Sequence, residues 1–191
     1  FANLPLTWYR LLNEGLDIYN IGTKLGNGHE KYNIKSGDHV MFCYGWNDIQ
    51  KNIYNHAKDN YKEEIEKLSS KYIDLLLKYK EKYKIIPIVQ CIYPNPLKTG
   101  DSKGSPEERK KYTEFANCVL RKLCQEKNVF FFDNYDLITD ENGFIKKEYT
   151  KDKVHLDYTN KFLREKIDNM LVKISCYYNY PFKPTVNLEE N

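Results

Sequence analysis

Residues 39–57 read HVMFCYGWNDIQKNIYNHA, and their reading decides the fold. The run at 40–44 is apolar throughout and stops at Gly45-Trp46-Asn47-Asp48, after which a helical pattern continues to about residue 56. An unbroken apolar run marks a strand buried on both faces, as in a parallel sheet, whereas a half-exposed strand alternates. Working outward, residues 60–84 form a long amphipathic helix, with Ile65, Leu68, Tyr72, Leu75, Leu76 and Tyr79 recurring at three- and four-residue steps. Residues 85–94 (IIPIVQCIYP) are the next buried strand. Ser105-Pro106-Glu107-Glu108 is a helix start, with a capping residue, a proline in the first turn and early acids. That helix runs to about residue 127, with Tyr112, Phe115, Val119, Leu120 and Leu123 inward. Residues 129–133 (VFFFD) are a third strand, and Asn142-Gly143 sits in a small hairpin or loop over 137–149. A last helix is expected over 157–175. At the other end, residues 5–14 read as a helix with Trp8, Leu11 and Leu12 on one face, followed by a short strand at 17–21 and a loop rich in Gly and Asn. The alternation predicts a three-layer α/β/α domain with a parallel, flavodoxin-like sheet. Ligands in such sheets bind at the carboxyl ends of the strands. Those ends are Asn20-Ile21-Gly22, Gly45 to Asp48, Pro94-Asn95 and Asp133-Asn134.

The 191 residues suit one domain, expected over 1–175, with 176–191 as an aperiodic extension. A net charge of +3, with Lys and Glu mixed along the helices, argues against a nucleic-acid partner, which calls for a concentrated basic face. No apolar run approaches the roughly 20 residues of a membrane span. The five cysteines have no tight spacing, so they make neither a disulfide framework nor a zinc knuckle. All five are read as reduced and mostly in the core, the habit of a cytoplasmic protein. No signal peptide is visible, and a chain beginning at Phe1 reads as a processed or trimmed piece.

Two short constellations carry chemistry. Asn47 either caps the helix it opens or presents an amide to a developing oxyanion. Asp152-Lys153-Val154-His155 precedes the last helix. It is either a surface turn or a carboxylate that fixes one ring nitrogen of His155 and leaves the other as a general base. The loop with Gly22, Gly26 and Gly28 could turn backbone N–H groups toward a ligand. No cluster has metal-ligand spacing, and no phosphate loop or dinucleotide fingerprint occurs, so neither metal nor cofactor is expected. His29 reads as a solvent-facing loop residue, His39 as structural and His56 as surface; Asn95 and Asn134 sit where they could shape a pocket.

Taken together and in this order, the blocks resemble the SGNH hydrolase superfamily, the GDSL-type esterases and lipases, over about residues 6–174. Gly45-Trp46-Asn47-Asp48 matches the family's Gly-x-Asn-Asp block, Asp152-x-x-His155 its last block, and Asn20-Ile21-Gly22 the glycine block after the second strand. The resemblance implies that Asn47 and the Gly22 N–H donate to the oxyanion, with Gly26 as the alternative to Gly22. It implies that His155 is the base and Asp152 its orienting partner. Gly45, Trp46 and Gly26 would line the substrate site, with Trp46 either stacking on a sugar ring or packing under the loop. The implied reaction is ester hydrolysis or acyl transfer through an acyl-serine. The polar and aromatic loops, and the lack of an apolar lid helix, favour a small acyl group such as acetyl on a carbohydrate. The family's Gly-Asp-Ser block is absent. Ser36, Ser69, Ser70, Ser102, Ser105 and Ser175 are all poorly placed to replace it. The serine is expected just upstream of Phe1, or lost, or supplied by a preceding fused domain. The rivals are a non-catalytic glycan-binding module and a structural domain of a larger protein.

Overall fold

Apolar positions set the architecture. The structure, a computed structural model, describes residues 7–14, 35–94, 102–150, 156–157 and 159–178. The expected strand at 17–21, Asn20, Gly22, Gly26, Gly28, His29, Asn95, Asp152, His155 and the tail from 179 lie outside the described residues. The chain divides into two compact units, Phe1–Ile145 and Lys146–Asn191.

In the first unit, β1 (His39–Phe42), β2 (Ile86–Gln90) and β3 (Phe130–Phe132) form a parallel sheet in the order β1-β2-β3. Val40 pairs with Pro87, Phe42 with Val89, and Gln90 with Phe132. The crossovers are α3 (Tyr61–Tyr83) and α4 (Pro106–Glu126). Both step the same way along the sheet, so crossovers of one hand place both helices on one face, where they pack together. Ile65, Leu68, Tyr72, Ile73 and Leu76 of α3 are buried where it packs on α1 (Trp8–Glu14), β2 and α4, and Tyr112, Ala116 and Leu120 of α4 are buried where it packs on α3 and β3. Ser105 caps α4 as its sequence predicts. Its hydroxyl accepts from Glu108 N–H at 3.1 Å, and the Glu108 carboxylate accepts from Ser105 N–H at 2.8 Å.

The strands end earlier than their apolar runs. β1 stops at Phe42 because the chain turns out of the sheet toward Gly45. β2 stops at Gln90, where the Asn117 carboxamide of α4 replaces a neighbouring strand. It accepts from Ile92 N–H at 2.8 Å and donates to Ile92 C=O at 2.6 Å. Around Asn142-Gly143 the expected hairpin closes with an antiparallel bridge between Thr139 and Ile145. A short α5 (Tyr135–Ile138) precedes it. The cysteines need a correction. Cys91 and Cys124 are buried and Cys118 is exposed, while Cys43, exposed as a residue, turns its thiol inward to donate to Gln90 Oε1 at 2.6 Å. Cys118 lies off the stripe of Asn117, Leu120 and Cys124 that α4 buries.

In the second unit, a 3-10 turn (Lys147–Tyr149) leads to an antiparallel bridge between Thr150 and Leu156, and Asp157 N–H donates to Tyr149 C=O at 2.7 Å. The last helix, α6 (Lys161–Tyr178), starts later than expected. Asn160 is its cap, accepting from Leu163 N–H at 3.0 Å, while Asp157 folds a tight turn onto the N–H and hydroxyl of Thr159.

Candidate active site

The turn after β1 is built by exclusion. Gly45 has φ +106°, a conformation L side chains rarely adopt. A Cβ there would lie 2.5 Å from Trp8 Cζ2 and 2.7 Å from Ile92 Cδ1. Glycine is therefore required both for its dihedral and for its missing side chain. Its open side is filled by Trp8 and Ile92, so Gly45 shapes the site through its backbone. From Gly45 the chain enters a helix directly, with Ile49 N–H donating to Gly45 C=O at 3.0 Å. The next turn, Asp48–Asn52, is π-helical, and Ile53 N–H closes it on Asp48 C=O. Single π turns of this kind recur at functional sites.

Asn47 is half-buried with helical backbone (φ −63°, ψ −33°). Its carboxamide makes no cap hydrogen bond, and among the described residues it has no partner. The capping alternative for Asn47 is therefore not what the chain adopts. Asp48 does not cap its own helix either, the role the turn's sequence invites. It is fully buried and caps α1, forty residues away in sequence. Trp8 N–H donates to Asp48 Oδ2 at 2.6 Å, and Tyr9 N–H donates to the same carboxylate. Arg10 N–H donates to Thr7 Oγ1 at 3.0 Å, and Leu11 N–H to Thr7 C=O at 2.9 Å. All four N–H groups of α1's first turn are thus satisfied, two of them by the turn that presents Asn47. Asn52 Nδ2 donates to Asp48 Oδ1 at 3.2 Å. Burial outweighs these bonds and pushes the Asp48 carboxyl up to about 6.

Trp46 packs partly buried against the core, with Nε1 buried and unpartnered. Gln50 is 2% exposed, and neither atom of its carboxamide has a partner. Nothing around Gln50 in the sequence marks this orphan. At the ends of β2 and β3, the Cys91 thiol donates to Asn134 Oδ1 at 3.0 Å, and Asn134 Nδ2 is buried without a partner. Burial raises the Cys91 pKa and keeps the thiol protonated, so it makes a poor nucleophile. Asp133 is ion-paired with Arg121 of α4. Ser69 is buried within α3, and the Ser105 hydroxyl is committed to its cap. His39 opens β1 at its amino end, where burial lowers its pKa against the pull of Asp38. His56 is exposed, edge-on to the Tyr9 ring. Of the residues singled out by sequence, the described part brings Gly45, Trp46 and Asn47 together. Gly22, Gly26, Asp152 and His155 lie outside it. Among the described residues no His, Cys, Asp or Glu cluster could hold a metal ion, and no helix is long and apolar enough to cross a membrane.

Residues 12–160 match the family model of the GDSL-like lipases/acylhydrolases. Among solved structures, a GDSL-like lipase from Bacteroides thetaiotaomicron superposes with a TM-score of 0.59 at 16% identity, covering 89% of this chain and 72% of that one. A candidate acylhydrolase from Bacteroides fragilis gives a TM-score of 0.57 at 16% identity, covering 89% and 71%. At such identity the likeness is one of fold, the three-layer α/β/α sandwich with a parallel sheet. No curated protein matches the sequence.

Proposed function

The chain belongs to the GDSL-like lipase/acylhydrolase family and is an SGNH-type ester hydrolase; we propose that it cleaves small acyl esters, O-acetyl groups of a carbohydrate foremost, through an acyl-serine intermediate. The observation that carries this reading is the uncommitted Asn47 carboxamide, held on a turn that is hydrogen-bonded to the start of α1. The family resemblance puts the nucleophilic serine upstream of α1, the helix whose first N–H groups this turn holds.

In the proposed reaction, His155 takes the proton of the serine hydroxyl while Asp152 fixes the imidazole tautomer. The serine oxygen adds to the ester carbonyl carbon. The resulting oxyanion accepts hydrogen bonds from Asn47 Nδ2 and from the Gly22 N–H, or from Gly26 in its place, each donor lowering the barrier by roughly 3 kcal/mol. Collapse expels the alcohol, which leaves with the proton from His155. Water, or a sugar hydroxyl in a transferase, repeats the cycle on the acyl-serine. The small acyl group is favoured by the polar and aromatic sequence of the loops at the strand ends, and Trp46, only partly buried, is an aromatic on which a sugar ring could stack.

The test is fluorophosphonate labelling of the polypeptide as the organism makes it. Stoichiometric labelling of one serine, abolished in His155→Ala with the fold intact, is expected. A folded protein that takes no label removes the serine-esterase mechanism and leaves a glycan-binding module as the better reading.

A further inference from the structure

Asp48 lies beside the proposed oxyanion donor and does more than end a helix. Its carboxylate is fully buried, yet among the described residues no lysine or arginine pairs with it. Its partners are the N–H groups of Trp8 and Tyr9 on one side and the Asn52 carboxamide on the other. A serine or asparagine would cap α1 without burying a charge. What only a carboxylate supplies is two acceptor oxygens, one for α1 at 2.6 Å and one for the π turn at 3.2 Å. Three pieces of chain meet on these two oxygens: the start of α1, the turn holding Asn47, and the π turn. Gly45 closes the same junction from the other side by admitting Trp8 where a Cβ would stand.

We propose that Asp48 is a positioning residue of the hydrolase: its carboxylate fixes the turn that carries the Asn47 carboxamide against the start of α1 and the π turn, so that the oxyanion donor is held in one place. This rests on the reading of Asn47 given above. The titratable groups near it are few. Tyr9 of α1 donates its hydroxyl to Glu64 of α3 at 2.9 Å, and Lys51 is its neighbour on the π turn. Protonation turns one of the two acceptors into a hydroxyl that faces an N–H donor and so releases one side of the junction. Burial has already moved this proton uptake to about pH 6.

The test uses Asp48→Asn in the polypeptide as the organism makes it, with nitrophenyl acetate as substrate. Asparagine leaves three donors competing for one oxygen but keeps size and burial. The expected result is a kcat loss of roughly tenfold to a hundredfold with KM changed less than about twofold, since a 1 Å misplacement can cost on the order of a hundredfold. The acid limb of log kcat against pH should be steeper in the wild type, where Asp48 must also lose a proton, than in Asp48→Asn. Unchanged kcat with an unchanged limb overturns the proposal. If the wild type does not turn over the ester at all, the hydrolase reading fails separately. The junction is then judged by amide exchange at Trp8 and Tyr9, which Asp48→Asn should speed at least tenfold; unchanged exchange overturns it.

Discussion

Two helices of this protein start in different ways. α4 is started by its own sequence, with Ser105 and Glu108 bonding each other's backbone N–H across three residues. α1 has a local cap in Thr7, whose hydroxyl accepts from Arg10 N–H, and adds a distant one: Trp8 N–H donates to Asp48, forty positions away. A local cap fixes where a helix begins along the chain. A distant cap fixes where two parts of the chain sit relative to each other. Only the second kind can build a site, because only it brings separate segments to one point. The α4 cap joins only its own residues, whereas the Asp48 cap of α1 lies one residue from Asn47.

The contrast can be broken or sharpened by substitution. The largest structural effect is expected at the distant junction. Gly45→Ala places a Cβ 2.5 Å from the Trp8 ring at a φ of +106°. Backbone strain and overpacking together should cost roughly 3 kcal/mol in urea unfolding, and kcat should fall as well. A loss below 1 kcal/mol with full activity would mean that the turn and α1 move independently. The smallest effect is expected at the local cap. Ser105→Ala should cost about 1 kcal/mol and leave ester hydrolysis unchanged within a factor of two. A large drop in kcat there would erase the distinction between the two starts.

The same distinction decides what the sequence could reveal. The parallel sheet, the two crossover helices, the Ser105 cap and the Asn142-Gly143 hairpin were legible because each is written in neighbouring residues. Element ends were not, because side chains from elsewhere set them: Asn117 closes β2, and the conformation of Gly45 ends β1 early. The late start of α6 comes from two local bonds, the Asn160 cap and the Asp157 turn, that compete with helix over residues any periodicity would admit. In the candidate site, the place of Asn47 on a turn that ends a buried strand was legible. The role of Asp48 was not, since nothing near it in sequence names Trp8 as its partner. The unpartnered Gln50 carboxamide was equally hidden, because burial of a glutamine follows from packing and not from its neighbours. Reading the cysteines as mostly core failed at Cys118, which lies off the stripe that α4 buries.

The central claim is that Asn47 serves the reaction and not the fold. The direct measurement is steady-state hydrolysis of nitrophenyl acetate by the wild type and by Asn47→Ala, with thermal unfolding of both. A carboxamide without a protein partner contributes little to stability, so the melting temperatures should agree within a degree or two. Loss of one oxyanion donor should lower kcat by roughly a hundredfold to a thousandfold. Equal turnover by the two proteins, or a variant that loses activity only because it no longer folds, would contradict the account.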